Sequence, residues 1–176
     1  MTALYRRLLG ERFDDLPGQV RALHDVEFEC IWVGKADVRR GGNAIARGLA
    51  SALGLPPEGR DQSLRVIFKP CSGSEVWARV FGTKRFVSTQ WAEGAQLRER
   101  VGPVTLRMTM QQDAEGLGLT LAGVQVLGVP LPEVLLPRIH TRETERGGRY
   151  CFEVEAFMPL LGLLVRYEGW LARAAR

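Results

Sequence analysis

Between Arg138 and Leu171 the chain reads RIHTRETERGGRYCFEVEAFMPLLGLLVRYEGWL. Tyr150, Phe152, Val154, Ala156 and Met158 alternate with Arg149, Glu153 and Glu155. Pro159 and Gly162 then interrupt. A second alternating run follows in Leu163, Val165, Tyr167, Gly169 and Leu171, with Arg166 and Glu168 between them. A period of two puts neighbouring residues on opposite faces, so this stretch predicts paired antiparallel strands with one buried face. A helix cannot hold that pattern, because its apolar stripe needs a period near 3.6.

The same period recurs upstream. Val26, Phe28, Cys30, Trp32, Ala36 and Val38 share a face of one long predicted strand. Further strands are expected at 63–70, 75–81, 85–92, 96–101, 103–112 and 117–127, with glycine turns at Gly73, Gly82, Gly94 and Gly116. Gly147 and Gly148 turn the hairpin that leads into the last two runs. Helical spacing is confined to residues 2–9, about 15–24, Ala44 to Leu53 and a short piece at 132–136. Asp14 or Asp15 suits the cap of the second helix and Asn43 that of the third, with Gly54 ending it. The expected architecture is mainly β (α+β): one domain over 1–176, built as an antiparallel β-barrel or strongly curved sheet of about nine strands. Two or three short helices fall in the first third. Closure is favoured because it removes unpaired edges.

Composition narrows the partners. The chain has 176 residues, a formal net charge of +4 and 45% hydrophobic residues, which suits a well-packed soluble core. Its arginines are dispersed, and no nucleic-acid-binding signature is present. Cys30, Cys71 and Cys151 are odd in number and widely spaced, which speaks against a disulfide framework and for a reducing, cytoplasmic compartment. Arg6 and Arg7 interrupt the N-terminus where a signal peptide needs apolar residues. The longest apolar run, Ala156 to Val165, is too short for a membrane-spanning helix. His24 and His140 are the only histidines, with no ligand spacing between them, so no metal and no cofactor is expected. His24 ends a helix, where its charge would suit the dipole.

Three groups of residues are candidate sites. The first is polar: His140, Arg142, Glu143, Glu145, Glu153, Glu155, Arg166 and Glu168. Cross-strand pairing brings Glu143 near Glu153 and Arg142 near Phe152 or Glu153. Close carboxylates beside His140 would serve acid–base chemistry, whereas a solvated face of ion pairs explains the same residues. The second is an apolar cavity walled by Phe28, Trp32, Phe68, Phe86, Leu106, Met108, Met110, Leu119, Leu121, Phe152, Phe157 and Leu163. A filled core explains that set equally. The third is the WARVFGTKRF hairpin, where Trp77, Arg79, Phe81, Arg85 and Phe86 interleave aromatic and basic groups. No GxSxG, no phosphate loop and no paired Cys–His motif occurs.

Several segments, taken in order, carry a resemblance. They are LYRRLLGERFDDLP, ALHD, Trp77-x-Arg79-x-Phe81-Gly82-x-x-Arg85-Phe86, LGVPLPEVLLPR and PLLGLLVRYEGWL. The chain resembles the bacterial family of domain of unknown function 4166 over nearly its whole length. Some members of that family are joined to a dinucleotide-binding domain that resembles saccharopine dehydrogenase. No GxGxxG follows a strand here, so the resemblance implies a stand-alone form and, as one possibility, an oxidoreductase partner. It carries no activity and no catalytic residues.

The leading expectation is therefore a binding domain for an apolar or amphipathic small molecule, such as a lipid, fatty acid or isoprenoid. Its site would draw on Trp32, Arg79, Phe86, Met108, His140, Arg142, Glu143, Phe152, Glu155 and Arg166. Arg79, Arg142 and Arg166 would fringe the mouth and meet an acidic end group. The alternatives are a Glu/His enzyme in the barrel mouth and an accessory domain for an oxidoreductase.

Overall fold

A computed structural model describes residues 2–175. Its strands are β1 (Cys30–Arg40), β2 (Gly59–Cys71), β3 (Ser74–Phe81), β4 (Lys84–Glu93), β5 (Gln96–Val101), β6 (Val104–Asp113), β7 (Gly116–Val126), β8 (Val129–Pro130), β9 (Arg138–Arg146), β10 (Arg149–Met158) and β11 (Gly162–Arg173). Each pairs antiparallel with its neighbour. The β1–β11, β6–β7 and β7–β9 pairings close ten strands into a barrel and leave β8 as an extra strand beside β7. The expected barrel thus holds, with slightly more strands than the periodicity gave.

The helices are α1 (Leu4–Leu9), α2 (Gly18–His24) and α3 (Ala44–Ala52), with 3-10 turns at Gly10–Phe13 and Glu133–Leu135. The last of these takes the place of the expected helix at 132–136. Asn43 caps α3 as its sequence predicts: the side-chain oxygen accepts from the Ile45 and Ala46 N–H groups. No side chain caps α2, whose entry is set by Pro17 instead of Asp14 or Asp15. β1 also starts late. The chain bends at Glu27 and Phe28, Phe28 points into water, and only Val26 of that stretch is buried.

The helical segments before β1, α1 with the 3-10 turn after it and α2, seal one end of the barrel. Leu4, Tyr5, Leu9, Phe13, Val20 and Leu23 are all buried there, each full burial of such a side chain contributing about 1.5–3 kcal/mol. At the other end α3 connects β1 to β2 and leans on β11. The wall is incomplete on one side. β9 pairs with β7 only from Gly116 to Thr120, so the upper part of β7 meets β6 and β8 but not β9. The segment from Leu127 to Pro137 fills that seam.

Candidate functional site

Inward-facing residues do not fill the barrel. A cavity of about 380 Å³ remains, within the range of small-molecule pockets. Its upper wall is apolar. Leu49, Leu53 and Leu55 come from α3 and its exit, Leu106 and Met108 from β6, Val124 and Val126 from β7, and Phe152, Val154 and Met158 from β10. Leu131, Pro137 and Ile139 line the seam beside β7.

The floor is polar, and the plug helices build it. Strand alternation aims Glu75, Trp77, Arg79 and Phe81 inward from β3, and Ile139, Thr141 and Glu143 inward from β9. Arg79 donates to Ser88 Oγ at 2.8 Å and meets Glu99 Oε1 at 3.3 Å. Its guanidinium lies 4.8 Å from the Trp77 ring centroid and 5.5 Å from that of Phe86. Burial is the largest single influence on Arg79 and opposes its charge, but Glu99 together with Tyr167, Tyr5 and Tyr150 outweighs it, so its pKa rises.

Next to this pair, His24 Nε2 stands 2.5 Å from Glu143 Oε2. A carboxylate can only accept, so Nε2 is the donor in this contact, and Nδ1 is buried with no hydrogen-bond partner among the described residues. The His24 ring stacks on Tyr5 at 3.7 Å, and Tyr5 donates its hydroxyl to Gln90 Oε1 at 3.1 Å. Glu75 accepts from the Leu4 N–H at 3.0 Å and from Trp77 Nε1 at 3.1 Å, and burial raises its pKa. Burial also lifts Tyr5 and Tyr150 far above the usual phenol range, with Glu143 adding to both, and pushes Tyr167 up to about 12. One cavity-wall hydroxyl, Thr141 Oγ1, is buried with no partner among the described residues.

The residues expected at the site divide cleanly. Arg79, Phe86, Met108, Glu143 and Phe152 line the cavity. Trp32 is buried beneath it, edge-on to Tyr150 with ring centroids 6.5 Å apart, and belongs to the packed core. His140, Arg142, Glu155 and Arg166 lie on the outer wall, because their strand parity is opposite to that of Thr141, Glu143, Val154 and Tyr167. Arg142 pairs with Asp113 at 2.7 Å, and Arg166 with Glu153 at 2.7 Å and Glu155 at 3.8 Å. The expected fringe of guanidiniums at the mouth is therefore corrected: Arg142 and Arg166 are on the outside, and Arg79 is at the floor. The expected His140–carboxylate grouping is corrected too, since His24 is the histidine that reaches Glu143.

Sequence reasoning passed over Tyr5, His24, Glu75, Gln90, Glu99 and Thr141. A signal for His24 existed: Leu16, Val20, Leu23 and His24 recur at helical spacing, which puts the imidazole on the buried face.

Fold and floor define a class, a closed antiparallel β-barrel with an apolar cavity over a buried polar cluster. Residues 16–171 match the family model described as Domain of unknown function (DUF4166), and the chain belongs to that family. No curated protein and no solved structure matches it. Among the described residues no helix is long and apolar enough to cross a membrane, and no group of three or more His, Cys, Asp or Glu could hold a metal ion.

Proposed function

We propose that the barrel binds an amphipathic small molecule, with its apolar part under α3 and its polar head on the floor. The observation that carries this reading is Thr141 Oγ1, a buried hydroxyl on the cavity wall with no partner among the described residues. A buried polar atom without a partner costs about 1–3 kcal/mol, and a bound head group would remove that cost. The head best suited to the floor is uncharged. Arg79 is already neutralised by Glu99, and an incoming carboxylate would face both Glu99 and Glu143. An alcohol can accept from Thr141 or donate to Glu143, and a carbonyl can accept from Thr141, without adding charge. Three free cysteines suit a reducing compartment such as the cytoplasm.

Native mass spectrometry of freshly purified protein should detect a bound lipid or isoprenoid-like molecule. Dodecanol should displace a fluorescent apolar probe more strongly than dodecanoate at neutral pH. Protein that emerges without a guest and binds neither compound ends the proposal.

The His24–Glu143 contact favours a second reading, acid–base catalysis on the same guest. Glu143 faces the cavity and would move the proton, while His24, behind it, would be a positioning residue. Glu143→Gln would then keep guest binding and lose conversion of the co-purified molecule, followed by its mass.

A further inference from the structure

Apolar side chains stand in water around the α3 end of the barrel. Leu127, Val129, Val134 and Leu135 lie on the segment that fills the β7–β9 seam, Leu160 lies in the β10–β11 turn, and Ile45 lies in the first turn of α3. Leu127 and Leu160 are the most informative. Both have left-handed backbones, with φ of 52° and 67°, and their side chains are 81% and 95% exposed. Glycine or asparagine holds such a turn at lower cost. A leucine there strains the backbone and buries nothing in the fold, so folding does not account for it.

The same end is basic. Arg60, Lys84, Arg85, Arg100 and Arg138 are exposed at the strand ends around it, and none joins an ion pair among the described residues. On the outer wall Lys35, Arg142 and Arg166 are matched by carboxylates.

We propose that this end docks on an anionic phospholipid bilayer, with Leu127, Val134 and Leu160 entering the acyl boundary and the cations meeting the head groups. Separate apolar tips on different turns, among exposed cations that outnumber the carboxylates Glu58, Asp61 and Glu133 of the same end, suit a fluid interface that closes around each tip. A protein partner would need a continuous shaped patch. The charged outer wall keeps the barrel on the bilayer and out of its hydrocarbon, since a spanning barrel carries an apolar band there. Docking gives the guest of the proposed function a short path between bilayer and cavity. It rests on the exposed collar, and not on the cavity being occupied.

Flotation with vesicles tests it. The protein should bind vesicles of phosphatidylcholine with an equal part of phosphatidylglycerol, should ignore phosphatidylcholine alone, and should release at about 1 M salt. Leu127→Asn with Leu160→Asn keeps residues that tolerate the left-handed turn, so folding is retained, and should lower binding about tenfold or more. Lys84→Gln with Arg85→Gln should lower it about fivefold for each cation removed. Absence of binding to anionic vesicles overturns the proposal. So does unchanged binding by the leucine variant, or capture of a dinucleotide-binding oxidoreductase through these residues with no vesicle binding. Leu106→Trp, which fills the cavity, should still dock; lost guest uptake with docking intact separates failure of the cavity reading from failure of this one.

Discussion

Glu143 Oε2 lies 2.5 Å from His24 Nε2, and this contact ties β9 to the last residue of α2 across 119 positions of sequence. Both side chains are almost wholly removed from water. The pair therefore fastens the helical plug to the barrel wall as well as shaping the cavity floor.

Removing one partner leaves the other buried and unpaired. Glu143→Ala and His24→Ala should each lower stability by about 3–5 kcal/mol. Glu143→Gln retains a side-chain oxygen that accepts from Nε2 and should lose less. Urea unfolding of the three variants gives that order, and equal losses would show that the contact does not hold the plug.

All three tyrosines, Tyr5, Tyr150 and Tyr167, have raised pKa values, and burial is the first cause for each. A phenol whose folded pKa exceeds its unfolded value contributes stability in full below about pH 10, and that stability is lost as pH rises through the folded value. For Tyr167 the window runs from about 10 to about 12. Phenolate absorbance at 295 nm should therefore stay flat past the ordinary phenol range and then rise in one step with loss of the far-ultraviolet β signal. A gradual rise centred on the ordinary value, with the fold intact, contradicts these burials.

Trp32 and Leu106 separate stability from uptake. Trp32→Ala excavates the packed core and should cost about 3–5 kcal/mol, with little selective loss of probe affinity in the folded fraction. Leu106→Trp places bulk in the cavity and should abolish probe binding with a small change in Tm. Calorimetry and probe titration on the two variants should give opposite rankings.

Most of the barrel was legible because alternation reports directly on strand faces. The 96–101 strand matches β5 in both bounds. Of the partners that the Gly147–Gly148 turn allowed for Arg142, Phe152 or Glu153, Glu153 is the one opposite it, while Glu143, expected near Glu153, stands opposite Phe152. Two stretches, 117–126 and 163–165, are apolar on both faces, and bulges explain them. Ala122 has no partner opposite β6, so the inward set passes from Leu117 and Leu119 to Val124 and Val126. Leu164 does the same in β11. The floor was less legible because its members come from separate elements. Tyr5 and His24 reach it from helices, Gln90 and Glu99 from β4 and β5, and Glu143 from β9. Local periodicity can show that a side chain faces inward, but not which distant residue it meets. Arg79 was expected at the rim, to meet an acidic end group; Glu99 and two aromatic faces hold it inside instead.

Glycine substitutions probe how tightly the barrel closes. A Cβ on Gly34 of β1 would overlap the Trp170 carbonyl oxygen of β11, and backbone cannot yield as a flexible side chain does. Gly34→Ala should therefore force β1 and β11 apart at the junction of the first and last strands, and lower Tm steeply or leave the protein insoluble. Gly48 offers the control. It lies within α3, exposed, with nothing within 4 Å of an added Cβ. Gly48→Ala should stabilise by about 0.5–1 kcal/mol, because alanine has less unfolded-state freedom to lose and favours the helix. Thermal melts of the two variants should move in opposite directions. A Gly34→Ala protein that melts with the native one would mean that β1 and β11 do not close the wall in this register.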